Sequence, residues 1–334
     1  MHYGAWRFNL NENDKNAAAF KATARHLLFS FVLMSSLKVW LIAFRLRTLP
    51  LALACIGMGS VLALYNGVHR PLVSLLAILT AVLLQILSNL ANDYGDTQNG
   101  ADLHGRIGPE RMVASGQIGV KSMRLAILVL ALMSFLSGLA LLWVALANQP
   151  LAVWLGFLGL GILAILAAIA YTAGKKPYGY AGLGDLSVCL FFGPVAVVGS
   201  YFLHALSWSP SLLAPALSMG ALAVAVLNLN NMRDVVSDRS AGKKTVVVRY
   251  GLAWARKYHL VLVLTALLLF LGYAFYHGHK GLFYAAALAG IAHGQTLLKL
   301  QKVKNELEFD PFLKQTALRT LLLTALSLLF FPYS

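Results

Sequence analysis

Nine stretches of roughly twenty almost wholly apolar residues constrain this chain more than any other feature. They run over residues 49–66, 72–91, 125–147, 151–173, 183–206, 212–231, 258–277, 281–300 and 316–331. A helix needs about 20 apolar residues to cross the hydrocarbon of a bilayer. A membrane barrel would instead show segments of about ten residues alternating in polarity. These runs are longer and apolar on every face, so the expected class is all-α, a polytopic membrane protein with about nine transmembrane helices. Composition agrees: 59% of the 334 residues are hydrophobic and 12% are charged, against about 25% charged in a soluble domain.

The net charge of +15 invites a nucleic-acid reading, but its distribution argues against one. Of 27 Lys and Arg, 25 lie before the first span, in alternate loops or at the span ends bordering those loops, leaving Arg70 and Lys280 in the others. That is the positive-inside pattern. It predicts a multi-pass inner (plasma) membrane protein with a cytoplasmic N-terminus and the C-terminus on the opposite side. Cys55 and Cys189 fall inside spans and read as apolar packing residues. Residues 1–21 are polar and read as a disordered cytoplasmic arm. Residues 22–48 read as an interfacial helix rather than a signal peptide or a tenth span. Residues 49–334 form a single transmembrane domain.

Half of the twelve acidic residues sit in two clusters. The first follows the second span: Asn89, Asn92, Asp93, Asp96, Asp102 and Glu110. The second follows the sixth: Asn230, Asn231, Asp234 and Asp238. Asn89, Asp93 and Asp96 at i, i+4 and i+7 share one helix face, as do Asn230, Asp234 and Asp238 at i, i+4 and i+8. Four spans separate the clusters, so both face the same side, as in a parallel internal repeat. Carboxylates at helix C-termini oppose the macrodipole by about 0.3–1 kcal/mol each, and they repel one another. A cation must compensate. Nearby Arg and Lys supply part. Oxygen-only donors on two helix ends suit Mg²⁺, which fills its remaining sites with water and phosphate oxygens. On this reading Asp→Asn at Asp93, Asp96, Asp234 or Asp238 removes a repelling charge and spares stability. The other reading is a solvated acidic edge.

Basic groups accompany the acids: Arg106 and Arg111 after the first cluster, and Arg233, Arg239, Lys243 and Lys244 around the second. Tyr171 and Lys175 stand at i, i+4 at the end of the fourth span. Carboxylates and cations together suit a diphosphate held through Mg²⁺ and direct ion pairs. For Lys175 and Lys243, simple charge flanking stands as an equal reading. Asp185, opening the fifth span, is either a helix N-cap or a group acting on the acceptor.

The runs NLANDYGDTQNGAD at 89–102 and NNMRDVVSDRSAGKKTVVVRYG at 230–251 resemble the two aspartate-rich motifs of the UbiA superfamily of intramembrane prenyltransferases. Supporting runs are LRTLPLALA, RIGPERMVASGQI and YTAGKKPYGYAGLGD. The likeness extends from Trp40 to about the C-terminus and leans toward the branch that acts on 1,4-dihydroxy-2-naphthoate. It implies a nine-helix bundle around a central cavity and two Mg²⁺ ions between the motifs and a prenyl diphosphate. By position, Asp93, Asp96, Asp234 and Asp238 are its metal candidates. Asp102 comes six residues after Asp96, where the wider superfamily has four, so its ligation is open; a third second-motif acid would fall at Gly242 and is absent. Asn89, Asn92, Arg111, Lys175, Arg233, Arg239 and Lys243 are diphosphate candidates, with Tyr171 and Asp185 as catalytic ones. The implied partners are a polyprenyl diphosphate, the naphthoate and the lipid bilayer. Another aromatic acceptor such as 4-hydroxybenzoate is the alternative within the superfamily. A transporter would place its charges near the midplane, and here they cluster at one face.

Overall fold

The computed structural model describes residues 37–100, 108 and 110–333. Two compact units are distinguished, Met1–Ile42 and Ala43–Ser334. Of the first, residues 37–42 are described, and they are helical. The arm at 1–21, most of the proposed interfacial helix, and Asp102 lie outside the described residues.

The second unit is helical, with no strand among its described residues. Its long helices are α1 Leu49–Tyr65, α2 Pro71–Gln98, α3 Val120–Leu146, α4 Leu151–Ala170, α5 Gly184–Ala205, α6 Leu213–Arg233, α7 Val246–Tyr276, α8 Lys280–Leu300 and α9 Asp310–Leu329. Nine segments among the described residues are long and apolar enough to cross a membrane. Both aspartate motifs come to one end of the bundle, where Lys243 reaches Asp96 of the first and Asp238 of the second; it is called here the motif end.

Several helices extend past the apolar runs that announce them. α2 continues through Gln98, seven residues beyond the run ending at 91, and α7 begins at Val246 rather than 258. Polar side chains at a helix end can reach water while the backbone stays paired, so helical geometry outlasts hydrophobicity. α7 breaks at Gly251 (φ 82, ψ 170), a backbone region open mainly to glycine. Within α5, Phe191–Val198 winds as a π-helix around Pro194. The proline lacks the N–H that a regular ladder needs.

α6 is the most buried helix and packs on α5, α7 and α9. α3 and α4 pack on α2, and no residue of α4 is buried. With little hydrophobic force between helices in lipid, polar bridges matter more. Thr80 and Ser137 hydroxyls join α2 to α3 at 2.8 Å. Thr324 donates to the Ala54 carbonyl at 3.0 Å, and Asn228 donates to that of Ala255 at 2.8 Å. Arg70, one of the two basic residues off the positive-inside pattern, has a structural role. Its guanidinium donates to the carbonyls of Val144, Ala145 and Leu203 at 2.6, 3.0 and 3.4 Å, satisfying the C-terminal ends of α3 and α5.

Candidate active site

A cavity of about 460 Å³ opens among α1 to α6 and α9. Asp96 and Ala77 of α2 both line it, a separation of about 28 Å along a helix axis. Its polar end lies at the motif end, with Asn89, Asn92, Asp96, Arg111, Asn230, Asn231, Asp234, Asp238 and Lys243 on its wall. Away from that end the wall is mostly apolar: Leu84, Leu139, Phe157, Ile165, Phe191, Phe192 and Leu203 among others.

Lys243 joins the two motifs. Its ammonium lies 3.3 Å from Asp96 and 3.0 Å from Asp238, over the Tyr180 ring at 4.8 Å. Asp96 also pairs with the buried Arg111 guanidinium and accepts from the Tyr180 hydroxyl at 2.7 Å. The loop carrying Tyr180 is fixed by the Lys244 N–H, which donates to the Tyr180 carbonyl at 2.9 Å. Gly182, at φ 87, lets that approach happen: a Cβ there would meet the Lys244 oxygen at 2.5 Å. Burial pushes the Asp238 carboxyl up from its ordinary range, against the lowering effect of Lys243. The Tyr180 phenol is pushed up by burial and then by Asp96.

The second motif does not continue one helix as its spacing suggests. α6 ends at Arg233, Asp234 caps it, and Asp238 stands on the short helix Val235–Ser240. The turn still brings Asn230, Asp234 and Asp238 to one cavity wall.

Other expectations are corrected by the packing. Asp93 does not line the cavity. Its two oxygens accept from the backbone N–H groups of Met112 and Val113 at 2.9 and 3.0 Å, so it anchors the loop that carries Arg111. Arg233 is 1% exposed and also stands off the cavity. It holds Asp234 through two bonds of 2.8 and 2.7 Å, Asn230 at 2.8 Å and Asp310 of α9 at 2.5 Å. Arg47 holds the same Asp310 at 2.9 Å. Asn89 lines the cavity, but its amide donates to the Phe44 carbonyl and the Thr48 hydroxyl, both at 2.9 Å. Lys175 and Arg239 are exposed and neither lines the cavity, Lys175 standing in the loop after α4 and Arg239 on the short helix Val235–Ser240. Asp185 neither lines the cavity nor caps its helix; it accepts from the Tyr258 hydroxyl of α7 at 3.0 Å. Tyr171 does line the cavity, edge-on to Tyr178. Burial and then the Asp185 charge raise its pKa, so the phenol stays neutral. The nearby Arg and Lys do supply compensating charge: Asp96 faces Arg111 and Lys243, Asp234 faces Arg233, and Asp238 faces Lys243.

Sequence reasoning missed Tyr180, Thr172, Arg47 and Asp310. Thr172 donates to the Asn92 side chain at 2.9 Å. No spacing in the chain links these residues to the motifs, since each arrives from another helix or loop. Gly95, inside the first motif, has a packing reason. A Cβ there would meet the Thr172–Ala173 peptide at 2.5–2.7 Å, where α2 and the end of α4 touch. Gly95→Ala is expected to cost about 1–3 kcal/mol of stability, read as a lowered melting midpoint; an unchanged midpoint would contradict this contact.

Among the described residues no three His, Cys, Asp or Glu form a ready-made metal cluster. The polar end offers carboxylate and amide oxygens beside Lys243 and Arg111, with no histidine. Such a set fits Mg²⁺, which takes one or two carboxylates and shares the rest with water and phosphate. It does not fit zinc.

Comparison with known proteins places these features. Residues 49–322 match the model of the UbiA prenyltransferase family. The chain is 52% identical over 234 residues to the 1,4-dihydroxy-2-naphthoate octaprenyltransferase of Escherichia coli, covering 70% of this chain and 75% of that one. It is 48% identical over 240 residues to the Haemophilus influenzae protein of the same name, covering 71% and 77%. Its fold is similar to that of a UbiA homolog from Archaeoglobus fulgidus bound to GPP and Mg²⁺, with TM-score 0.64, 15% identity, and coverage of 88% of this chain and 99% of that one.

Proposed function

The chain belongs to the UbiA prenyltransferase family, and from that premise we propose that it transfers a polyprenyl group from its diphosphate to 1,4-dihydroxy-2-naphthoate. The observation that carries this reading is one cavity with an acidic and cationic end and a long apolar wall. Diphosphate and hydrocarbon tail ask for that pairing of surfaces. The naphthoate is the acceptor named for the relatives at 52% and 48% identity.

Asp96, Asp234 and Asp238, with the Asn92 side chain, are the residues that would hold Mg²⁺. When bound, the ion neutralises charge on the diphosphate oxygens. Lys243 and Arg111 can move from their carboxylates onto phosphate oxygens, giving charge-assisted bonds to the leaving group. The allylic C–O bond breaks and its electron pair leaves with the pyrophosphate. The naphthoate ring carbon bearing the carboxyl group then forms the new C–C bond. Loss of CO₂ returns the electron pair to the ring, giving the demethylmenaquinone skeleton in its reduced, 1,4-dihydroxy form. The neutral Tyr171 ring can face the allylic cation, and the apolar wall keeps water from it. The tail remains in a membrane-like setting, since moving it into water costs about 0.8 kcal/mol per CH₂.

Purified protein with Mg²⁺, a prenyl diphosphate and either 1,4-dihydroxy-2-naphthoate or 4-hydroxybenzoate is expected to convert the naphthoate, with the product identified by mass. Conversion of the benzoate alone moves the acceptor assignment. EDTA is expected to abolish pyrophosphate release and Mg²⁺ to restore it.

The alternate-loop charge supports a plasma-membrane protein with the motif end toward the cytoplasm. A cysteine at Asn148, exposed at the opposite end, is then labelled by an impermeant reagent from outside. One at Lys121 is labelled only after the membrane is opened. The reverse pattern overturns the orientation.

A further inference from the structure

We propose that a second, smaller pocket between α7 and α8 at the motif end binds one anionic phospholipid from the adjoining leaflet. The pocket has a volume of about 140 Å³ and is lined by Arg256, Lys257, Leu260, Leu297, Leu300 and Gln301. None of these residues lines the large cavity, so the site is separate from the prenyl-transfer centre.

Its polarity runs in the order of a phospholipid. Charge is at the mouth. The Arg256 guanidinium is fixed by the carbonyls of Gln301 and Val303 at 3.4 and 2.6 Å and lies 5.6 Å from the Phe309 ring. Lys257 is exposed beside it, and Lys302 and Lys304 follow in the chain, also exposed. None of the three lysines has a carboxylate partner among the described residues. The nearby Glu308 carboxylate is engaged in its own turn, accepting from the Lys304 N–H and the Asn305 amide, both at 3.2 Å. Leucines then form the pocket wall. On the same two helices Leu298 beside the pocket, and Val261 and Leu264 of α7 and Ile291 of α8 farther along, are exposed. At Gly294 of α8 a Cβ would meet nothing within 4 Å, which leaves room for an acyl chain.

The net charge selects the headgroup. A choline cation would meet Lys257 in the pocket wall, with Lys302 following the lining residue Gln301 in the chain, whereas a phosphate carrying net negative charge is attracted by both. A basic residue at a membrane surface contributes about 1 kcal/mol toward an anionic lipid, about a fivefold change in affinity. The apolar wall favours a ligand with a tail over a free phosphate. Long lysine stems can lie along that wall while the ammonium reaches the headgroup.

The test offers the full-length protein, in detergent, phosphatidylglycerol, phosphatidylcholine or glycerol phosphate, and counts retained molecules by native mass spectrometry. One phosphatidylglycerol is expected to be retained in preference to phosphatidylcholine. Lys257→Gln combined with Lys302→Gln is expected to lower that retention about tenfold or more, and Lys257→Arg to preserve it. Leu260→Trp fills the pocket without changing charge and is expected to lower retention too. Lys121→Gln, an exposed basic residue at the start of α3, is the control and is expected to change little. The site is overturned if phosphatidylcholine is retained equally, if glycerol phosphate competes as well as the intact lipid, or if the control loses as much as the double variant. Melting midpoints without lipid should match wild type in all the lysine variants; a fall there assigns these residues to the fold instead.

Discussion

Asp238→Asn is expected to lower turnover by about a hundredfold or more, the scale for a group acting on charge developing in the transition state, with little loss of stability. Asp238 faces the cavity and pairs with Lys243 at 3.0 Å. Burial raises its pKa. A raised folded-state pKa means that this group favours folding below its unfolded pKa, and that the benefit is lost as pH rises through the folded value. At neutral pH the charge is held at a cost, so removing it asks little of the fold. Lys243 also keeps Asp96 as a partner at 3.3 Å. Asp96→Asn should behave differently. It removes the charge of a carboxylate that pairs with the buried Arg111, and breaking a buried pair costs about 3–5 kcal/mol. Turnover and melting midpoint should both fall. Pyrophosphate release at saturating Mg²⁺, measured beside thermal unfolding, separates the two variants. Near-normal rates in both would remove the carboxylates from the chemistry.

The second large effect is structural. Arg233→Met is expected to destabilise the protein by about 3–5 kcal/mol, because it strips Asp234, Asn230 and Asp310 of one shared buried donor. Asp310→Asn should cost less, since its side chain is 38% exposed and water can replace part of what is lost. Arg239→Gln, on an exposed side chain of the same motif, should stay within about 0.5 kcal/mol of wild type. Midpoints of thermal unfolding in one detergent give the ranking. Equal effects at Arg233 and Arg239 would mean that the buried network contributes nothing. The comparison matters because the two arginines, six apart in one motif, look alike in the sequence.

What the sequence determined alone is the part governed by solvent and by local periodicity. Apolar run length set the number of spans, because every backbone polar group in a bilayer must be paired within a helix. Alternate-loop charge carries the expected orientation. The repeated asparagine–aspartate pattern identified the end of the bundle where the polar wall of the cavity lies, and the oxygen-only donor set pointed to a hard cation. The tertiary structure decided which of those residues face the cavity. Asp93 and Asp96 are three residues apart on one helix, yet one anchors a loop backbone and the other faces Lys243. Arg233 turns inward to Asp310, while Lys243, with an equal claim to be mere flanking charge, bridges the motifs. Helical spacing fixes a direction around one axis, but the neighbour met in that direction comes from distant chain, such as Thr172, Tyr180 or Asp310. A buried carboxylate takes the donor that packing brings within 3 Å, because leaving it unpaired costs more than any local preference.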